Sequence, residues 1–234
     1  MDSNLKDLRS RSMSKVKGLI RDSVGFDQLI IHAINTYEDL DKQINSVVMR
    51  LKDFVSLSNP SLVRDYKDPV AFLSKYSPDI LAEKGVGMAL SGVDKDVVSR
   101  LHGIAKDLVD YRVYLKQYIE DKLMESAPNL CILAGGLISS KLLREARSLK
   151  RLASMQSSTI QLLGAEKALF RHLKTGAKPP KYGFILQHPF VSSSRDKGKS
   201  ARILADKIAL CARLDFFGSQ IKAYEYIEEL ESKK

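Results

Sequence analysis

The chain has 234 residues, enough for one large domain or two modest ones with a real core. Hydrophobic residues make up 44% and charged residues 28%, a composition that argues against wholesale disorder. The formal net charge of +10 favours a polyanionic partner such as RNA, DNA or an anionic membrane surface. Tryptophan is absent and aromatic residues are only 7%, which argues against a single-strand binder built on rows of stacking rings.

The cysteines and the N-terminus indicate a cellular compartment. Cys131 and Cys211 lie in apolar helical contexts without a CxxC pattern, so we expect two small buried hydrophobic residues, as in a reducing cytosol. No apolar run approaches the roughly 18 residues that a membrane span needs, and the N-terminus is polar rather than signal-like. We therefore expect a soluble intracellular protein that does not bind a membrane.

Two stretches show the heptad spacing of long helices with an apolar seam. The seam of the first stretch consists of Ile30, Ala33, Tyr37, Leu40, Ile44, Val47, Leu51 and Phe54. The seam of the second consists of Val97, Leu101, Ile104, Leu108, Tyr111, Leu115 and Tyr118. Because neither helix can hide its seam alone, we expect the two to pack along each other.

The segment 56–96 between these helices is rich in proline and glycine, which predicts short helices and turns at the tip of a helical hairpin. The sequence DPVAFLSKYSPDIL within it predicts one such short helix. Residues 1–126 would then form a coiled-coil arm. The alternative is that both heptad helices belong to one compact bundle, since heptads also occur there.

A second module is predicted over 127–234. Gly135 and Gly136 interrupt an apolar helical pattern, which predicts a kink or a close helix contact. The sequence STIQLLG at 158–164 is short, apolar and partly β-branched, and FILQH at 184–188 is similar, so each predicts a short strand or extended segment. The predicted fold class is thus mainly α, with at most two short strands.

The remaining elements of this module are helices and basic loops. Helices are predicted at 165–174, at 201–217 and in the tail. Two adjacent prolines make 175–183 a loop, and serines and charged residues make 192–200 another.

Positive charge is concentrated in residues 161–202, which carry only two acids, Glu166 and Asp196. The basic residues there are Lys167, Arg171, Lys174, Lys178, Lys181, Arg195, Lys197, Lys199 and Arg202. The first three share one helix face, and the two loops can bring backbone N–H groups close to phosphates. A merely solvated basic face is the alternative, but agreement between one helix and two loops favours a nucleic-acid site.

Four ordered blocks resemble the Nop domain of the archaeal and eukaryotic box C/D core proteins. They are APNL at 127–130, STIQLLGAEKALFRHLKTG at 158–176, PPKYGFILQHP at 179–189 and KGKSARILADKIALCARLD at 197–215. The sequence DQLIIHAINTYEDLDKQIN at 27–45 resembles the first coiled-coil helix of the same proteins. The resemblance covers roughly residues 20 to 220, and the intact GAEKALF and PPKYG favour the archaeal branch over the spliceosomal one.

The resemblance implies a non-catalytic scaffold whose Nop module binds a composite surface of kink-turn RNA and its small kink-turn-binding protein, a member of the ribosomal-protein family. The assembly would guide ribose 2′-O-methylation, and paired arms would make a homodimer through Ile30, Tyr37, Leu40, Ile44, Val47, Leu51, Leu101, Ile104, Leu108 and Leu115. The helix start at Gly164 and Ala165 would offer unpaired N–H groups to a phosphate. Glu166 would belong to the same RNA-binding block, and the basic residues named above would contact the RNA backbone. We expect cytoplasmic localisation in an archaeon and nucleolar localisation in a eukaryote.

Fibrillarin, the methyltransferase of these assemblies, is a doubtful direct partner on this reading. Archaeal relatives carry a further N-terminal domain that binds fibrillarin, and the given sequence begins just before the coiled coil. We therefore expect no fibrillarin capture through residues 1–234.

Motifs for catalysis or for a cofactor or metal are not found. The sequence has no Walker loop, no GxGxxG after a strand, no HExxH and no GxSxG. His172 and His188 fall in the basic module, where each could stack on a splayed base or simply pack. The competing hypotheses are a coiled-coil dimerisation adaptor with incidental charge, a splicing-type Nop-domain protein, and an enzyme with an unrecognised site.

Overall fold

The computed structural model describes residues 2–23, 25–66, 68–76, 87–88, 90–218 and 220–232. Regular structure in these residues is helical, without a strand, which confirms the mainly α class. The α-helices of the described residues are α1 (Asp2–Ser23), α2 (Phe26–Ser58), α3 (Pro60–Asp65), α4 (Pro69–Lys75), α5 (Gly92–Ser126), α6 (Pro128–Ala134), α7 (Gly136–Ala146), α8 (Leu149–Ser154), α9 (Ser157–Leu162), α10 (Glu166–Thr175), α11 (Pro189–Ser192), α12 (Lys197–Phe217) and α13 (Ala223–Glu231).

None of these described helices is both long enough and apolar enough to cross a bilayer. The chain divides into two compact units. The arm unit is Asn35–Tyr118, and the basic unit combines Met1–Ile34 with Ile119–Lys234. The long helices α2 and α5 each contribute residues to both units.

The arm unit has one apolar core built by α2, α4 and α5. Its buried residues are Leu40, Ile44, Val48, Leu51, Val55, Phe72, Leu73, Tyr76, Val98, Ala105 and Leu115. The rings of Phe72 and Tyr76 stack with their centroids 5.3 Å apart. The two heptad helices therefore share a core, as their seams predicted. Two short helices, α3 and α4, follow α2, as predicted for 56–96, and the predicted continuation at 77–81 lies outside the described residues.

The observed core face is shifted from the predicted seam by one residue in places. Val48 and Val55 are buried, whereas Phe54 is 41% exposed. On α5, Ala105 is buried and Ile104 is 53% exposed. The reason is that 3.6 residues per turn do not match a strict 3.5-residue repeat, so the core face drifts by about 20° per heptad.

The residues predicted to dimerise are mostly used within the chain. Leu40, Ile44, Leu51 and Leu115 are buried in the arm core, and Tyr37, Val47, Leu101 and Leu108 pack against it. Ile30 is buried in the basic unit. Of the predicted set, Ile104 alone is exposed.

The basic unit is organised around α12. Small residues such as Ala201, Ala205, Ala209 and Ala212 are buried along this helix and let α6, α8 and α9 approach closely. Both cysteines are buried, as expected, and burial raises the pKa of Cys211 to about 12, so its thiol stays protonated.

A buried polar hub ties the two ends of this unit together. The Asp215 carboxylate accepts hydrogen bonds from the backbone N–H groups of Asn129 and Leu130 at 3.0 and 2.8 Å, which caps the start of α6. The Asn129 side chain donates to Asp215 at 2.8 Å and accepts from the N–H groups of Lys222 and Ala223 at 2.8 and 3.1 Å. Asn129 is only 1% exposed, so these bonds replace the water that its amide loses.

Gly135 separates α6 from α7, and α7 begins at Gly136, so the helical pattern is interrupted at these two glycines as predicted. Gly135 has φ +80°, a left-handed conformation that an L side chain rarely adopts. A Cβ on Gly136 would lie 2.5 Å from Cγ of Glu120, so the helix start approaches α5 closely.

Both strand predictions are wrong. Residues 157–162 form α9, which packs against α12 with Ile160 fully buried, and no strand pairs with this segment in the part of the chain that the structure describes. Residues 184–187 form a 3-10 turn between Gly183 and Pro189. Helix α12 also begins four residues earlier than predicted, at Lys197, since the Asp196 side chain accepts from the N–H groups of Gly198 and Lys199 at 3.1 Å.

Candidate nucleic-acid interface

The turn between α9 and α10 is closed by its own side chain. Gly164 has φ +87°, and its N–H donates to Oε1 of Glu166 at 2.7 Å. The N–H of Ala165 donates to the Leu162 carbonyl at 2.9 Å. The expectation that Gly164 and Ala165 offer unpaired N–H groups to a phosphate is therefore wrong, because a nearby carboxylate and carbonyl already accept from them.

A second chain segment lies across this turn. The N–H of Gly183 donates to the Gln161 carbonyl at 2.9 Å, and the N–H of Phe184 donates to the Leu163 carbonyl at 2.8 Å. The Gln161 amide donates to the Lys181 carbonyl at 2.6 Å. A Cβ on Gly183 would lie 1.8 Å from the Leu163 oxygen, so only glycine allows this approach. The loop that carries Lys181 is thus fixed to the end of α9.

Helix α10 is partly buried on one side, at Glu166, Ala168, Leu169 and His172, and exposed on the rest of its surface. None of its residues is buried, and Lys167, Arg171 and Lys174 are exposed on one side. Between these cations, Phe170 is 61% exposed and Leu173 is 70% exposed. The helix ends at Gly176 in the left-handed conformation, and its N–H donates to the His172 carbonyl. This face combines positive charge with apolar area.

A basic cleft of about 470 Å³ lies beside the turn. Its lining residues are Ser158, Gln161, Leu162, Pro180, Lys181, Asp196, Gly198, Lys199 and Arg202. The stem of Lys181 packs on the start of α12, where a Cβ on Gly198 would lie 3.3 Å from the lysine Cδ. Three cations therefore face one carboxylate, and that carboxylate already caps α12.

Lys181, Lys199 and Arg202 are exposed and take part in no ion pair with a described residue. Because three cations share the cleft with one carboxylate, positive charge remains to pair with phosphate oxygens. Ser158 and the apolar side chains of Leu162 and Pro180 complete the cleft, which gives room for a sugar beside a phosphate.

The two histidines of the module are part of its internal hydrogen bonding. Nε2 of His188 lies 3.1 Å from the Leu133 carbonyl, and Nδ1 accepts from the Phe190 N–H at 3.2 Å. Burial lowers the pKa of His188 below its ordinary value of 6.5. Nδ1 of His172 contacts the Ala177 carbonyl and so ties the end of α10 to the following loop. Both contacts favour packing over base stacking for these rings.

The predicted site residues divide into groups. Lys181, Lys199 and Arg202 meet in the cleft, and Lys167, Arg171 and Lys174 share the face of α10. The cleft lining does not include Lys178, Arg195 or Lys197, which are exposed on the adjoining loops and first turn of α12.

Sequence reasoning missed the apolar part of the surface. Phe170 and Leu173 stand three residues apart within a basic helix, and their spacing alone does not distinguish exposed residues from core residues. Gln161 and Pro180 were also missed, because only the folded loop brings them to the cleft. Among the described residues, no group of His, Cys, Asp and Glu could hold a metal ion.

Comparison with known proteins identifies the family. A family model described as Nop, "snoRNA binding domain, fibrillarin", matches residues 75–233, more than half of the chain. The chain belongs to the Nop family. The family is described by what it binds rather than by a reaction, which agrees with the prediction that this chain is not an enzyme.

Curated relatives include proteins from archaea and eukaryotes. An uncharacterized NOP5 family protein of Methanocaldococcus jannaschii is 36% identical over 233 residues, covering 88% of this chain and 56% of the relative. Nucleolar protein 58 of Schizosaccharomyces pombe is 35% identical over 240 residues, covering 89% and 47%. Nucleolar protein 56 of Dictyostelium discoideum is 36% identical over 238 residues, covering 89% and 44%. The chain spans about half the length of these relatives.

A solved relative supports the fold. The crystal structure of a fibrillarin/Nop5p complex contains a chain that matches with a TM-score of 0.61 and 23% identity. The match covers 98% of this chain and 77% of that chain. The helical architecture described above is therefore that of the Nop family.

Proposed function

We propose that this chain is a non-catalytic RNA-binding scaffold of a box C/D-type ribonucleoprotein. In this proposal the basic unit binds a kink-turn RNA together with its small kink-turn-binding protein. Family membership supports the RNA partner. The observation that carries the proposal is the basic cleft beside an exposed basic helix, formed on both sides of one fixed turn.

We propose that the cleft binds a phosphate of the RNA backbone. Lys181, Lys199 and Arg202 reach it from a loop and from a helix, and the single acid of the cleft lining, Asp196, uses one carboxylate oxygen to cap α12. Contacts of this kind position a protein on RNA without reading bases. Lys167, Arg171 and Lys174 would extend the contact along α10, with Lys178, Arg195 and Lys197 at its margin.

The apolar residues of α10 support a protein partner at the same site. Exposed Phe170 and Leu173 lie among the cations of α10, so one helix can contact RNA phosphates and an apolar protein surface together. Aromatic side chains at the centre of a contact often contribute most of the binding free energy. We propose that Phe170 and Leu173 contact the small kink-turn-binding protein.

The wider assembly is also proposed to include fibrillarin. Fibrillarin is named in the family description and in the solved complex of a Nop5p chain, which speaks against the doubt raised from the sequence. The assembly would then guide ribose 2′-O-methylation. A pull-down of purified fibrillarin with the given chain is the direct test.

Three further points are proposed on the same basis. Residues 1–126 act as an arm and 127–234 as the RNA- and protein-binding module. Two copies pair through the arm. Relatives called nucleolar proteins support a nucleolar location if the source is eukaryotic, and cytoplasm is proposed if it is archaeal.

A binding titration tests the main proposal. The chain is titrated against a kink-turn RNA and against the same RNA with its kink removed, each with and without the small protein. Binding to RNA alone should be weak, at roughly 10⁻⁴ to 10⁻⁶ M, and much tighter when both the kink and the small protein are present. Equal affinity in all four arms would show an ordinary basic RNA binder. No binding in any arm would favour the coiled-coil adaptor.

A further inference from the structure

The ring of Phe184 lies directly against Gly164. A Cβ built on Gly164 would come within 2.6 to 2.7 Å of three atoms of this ring, a distance that real Cβ atoms do not reach. Gly164 itself is left-handed, with φ +87°. The aromatic ring thus covers the central residue of the three, 163–165, that connect α9 to α10.

The ring is held from two directions. The backbone N–H of Phe184 donates to the Leu163 carbonyl, and the N–H of Gly183 donates to the Gln161 carbonyl. From α7, the ammonium of Lys141 and the guanidinium of Arg144 lie 5.8 and 5.6 Å from the ring centroid, within the range of cation–π attraction. Lys141 also donates to the Gln187 side chain at 3.1 Å. The position of the ring is therefore set by α7 as well as by its own loop.

This arrangement matters because of how α10 is attached. None of the residues of α10 is fully buried, and only Glu166, Ala168, Leu169 and His172 are partly buried, so side-chain burial holds this helix more weakly than it holds α12. Glycine is the residue with the widest choice of backbone conformations. A turn that contains an unconstrained Gly164 would let α10 leave α9 in several directions.

We propose that Phe184 is a positioning residue that holds the Gly164 turn in one conformation and so fixes the direction of α10. Lys141 and Arg144 act through it by keeping its ring in place. The effect of this positioning on RNA binding rests on the proposed function, but the positioning itself does not. The sequence gives no sign of this role, since 184–188 resembles an apolar strand.

Hydrogen exchange in the free chain tests the positioning directly. Phe184→Leu keeps an apolar side chain but removes the flat ring and its attraction for cations. We expect exchange of the Gly164 and Ala165 amides to rise by at least about tenfold, which corresponds to about 1.4 kcal/mol in the opening equilibrium. Amides of α12, such as Leu204, should be unchanged, and Phe184→Tyr should restore protection. Unchanged exchange at 164–165, or an equal rise throughout the basic unit, would overturn the proposal.

A pair of substitutions tests the contact between ring and glycine. Gly164→Ala places a Cβ against the ring and should weaken binding to the kink-turn RNA with its small protein. Phe184→Ala should also weaken it in the native background. In the Gly164→Ala background, Phe184→Ala should instead strengthen binding, because removing the ring relieves the collision. Ile185→Ala, next to Phe184 and fully buried, is the control and should weaken binding in both backgrounds.

The two proposals fail in different ways. If the native chain binds the RNA but Phe184→Ala lowers affinity equally in both backgrounds, the positioning role is wrong and the proposed function stands. If the native chain does not bind the RNA, the proposed function is wrong. The exchange measurement on the free chain still decides the positioning role in that case.

Discussion

Helices α10 and α12 lie in the same unit but relate to it in opposite ways. Helix α12 buries eight residues, several of them alanines in close contact with neighbouring helices. Helix α10 has no fully buried residue, and it exposes its three cations together with Phe170 and Leu173, whereas Leu169 is partly buried. Helix α12 thus forms the centre of the core of this unit, and helix α10 forms part of its surface.

The contrast teaches where each helix obtains its stability. Helix α12 is stabilised along its whole length by burial of apolar area, which contributes about 25 cal/mol per Å². Helix α10 is fixed mainly at its ends, by the Gly164–Glu166 turn and by the contact of His172 with the Ala177 carbonyl. Substitutions in α12 and its contacts should therefore change stability, and substitutions in α10 should change binding.

The largest effect is expected at the polar hub that joins α6, α12 and α13. Asn129→Ala removes the acceptor of the Lys222 and Ala223 N–H groups and a donor to Asp215. We expect a loss of about 3 kcal/mol in the free energy of unfolding, measured in urea. Asn45→Ala, exposed on α2, is the control and should change it by less than about 0.5 kcal/mol. A loss below about 1 kcal/mol for Asn129→Ala would show that the hub is not a stabilising element.

The opposite behaviour is expected for the cations of α10. Lys167→Glu with Arg171→Glu should leave stability within about 0.5 kcal/mol of the native value, because both side chains are exposed. Affinity for RNA should fall across sequences, and the dependence of log K on log salt should become shallower by about one unit per lost phosphate contact.

The matched control for that pair is Arg100→Glu with Lys106→Glu, two exposed cations of α5 in the arm unit. It makes the same change in net charge at a different place. If both pairs reduce affinity and salt dependence equally, general attraction rather than the α10 face accounts for RNA binding.

The apolar residues of α10 should have a narrower effect. Phe170→Ser with Leu173→Ser should leave binding to RNA alone unchanged and should abolish most of the gain in affinity that the small protein provides. A loss of about 2 kcal/mol is typical of a central apolar contact. Calorimetry with and without the small protein measures it, and a gain that survives intact would remove these residues from the partner surface.

Self-association can be separated from the internal packing of the arm. Val97, Ile104 and Tyr111 recur every seven residues on α5 and are 49%, 53% and 48% exposed, whereas Leu40 is buried. Ile104→Asp should weaken dimerisation in sedimentation while the arm stays folded. Leu40→Asp should instead unfold the arm, since it places a charge in the core. A native chain that is monomeric at high concentration would contradict the paired arm.

The smallest effect is expected from His188. Its pKa in the folded state lies below the ordinary value of 6.5, because the ring is buried. Its contribution to stability is therefore fully present above that value and is lost as the pH falls through the folded pKa. Protonation at Nδ1 also prevents it from accepting the Phe190 N–H.

Urea unfolding at a series of pH values measures this contribution. The native chain should lose stability below pH 6.5, by about 1.4 kcal/mol for each unit between the unfolded and folded pKa values. His188→Gln should show a shallower decline over the same range. Identical pH profiles for the two proteins would exclude a stabilising role for the neutral ring.

The sequence was a good guide to helices with strong periodicity and a poor guide to short apolar segments. Heptad spacing predicted the shared core of α2 and α5, and charge order predicted α10 within one residue. The sequence predicts strands at 158–164 and 184–188, because a segment of five to seven residues is too short to show a distinguishable period. Contacts with α12 and the bonds between Gly183 and Gln161 decided their conformation.

The candidate site divides in the same way. Composition and spacing alone located the cations, because lysines and arginines are identified by residue type without knowledge of the fold. Three features of the site depend on contacts between residues that are distant along the chain or face each other across a turn. They are the hydrogen bond from the Gly164 N–H to Glu166, the packing of Lys181 on Gly198 and the contact of Phe184 with Gly164. The secondary-structure preferences of short segments do not encode the distances between such residues.

The sequence by itself thus determined the helical class, the basic character and the family of this chain. Those properties sum over many residues, so each survives local errors. Tertiary structure alone decided which apolar residues stay outside, which N–H groups are already paired and which three cations meet. Those outcomes depend on a few ångströms of packing, and they define the surface that α10 and the cleft present to solvent.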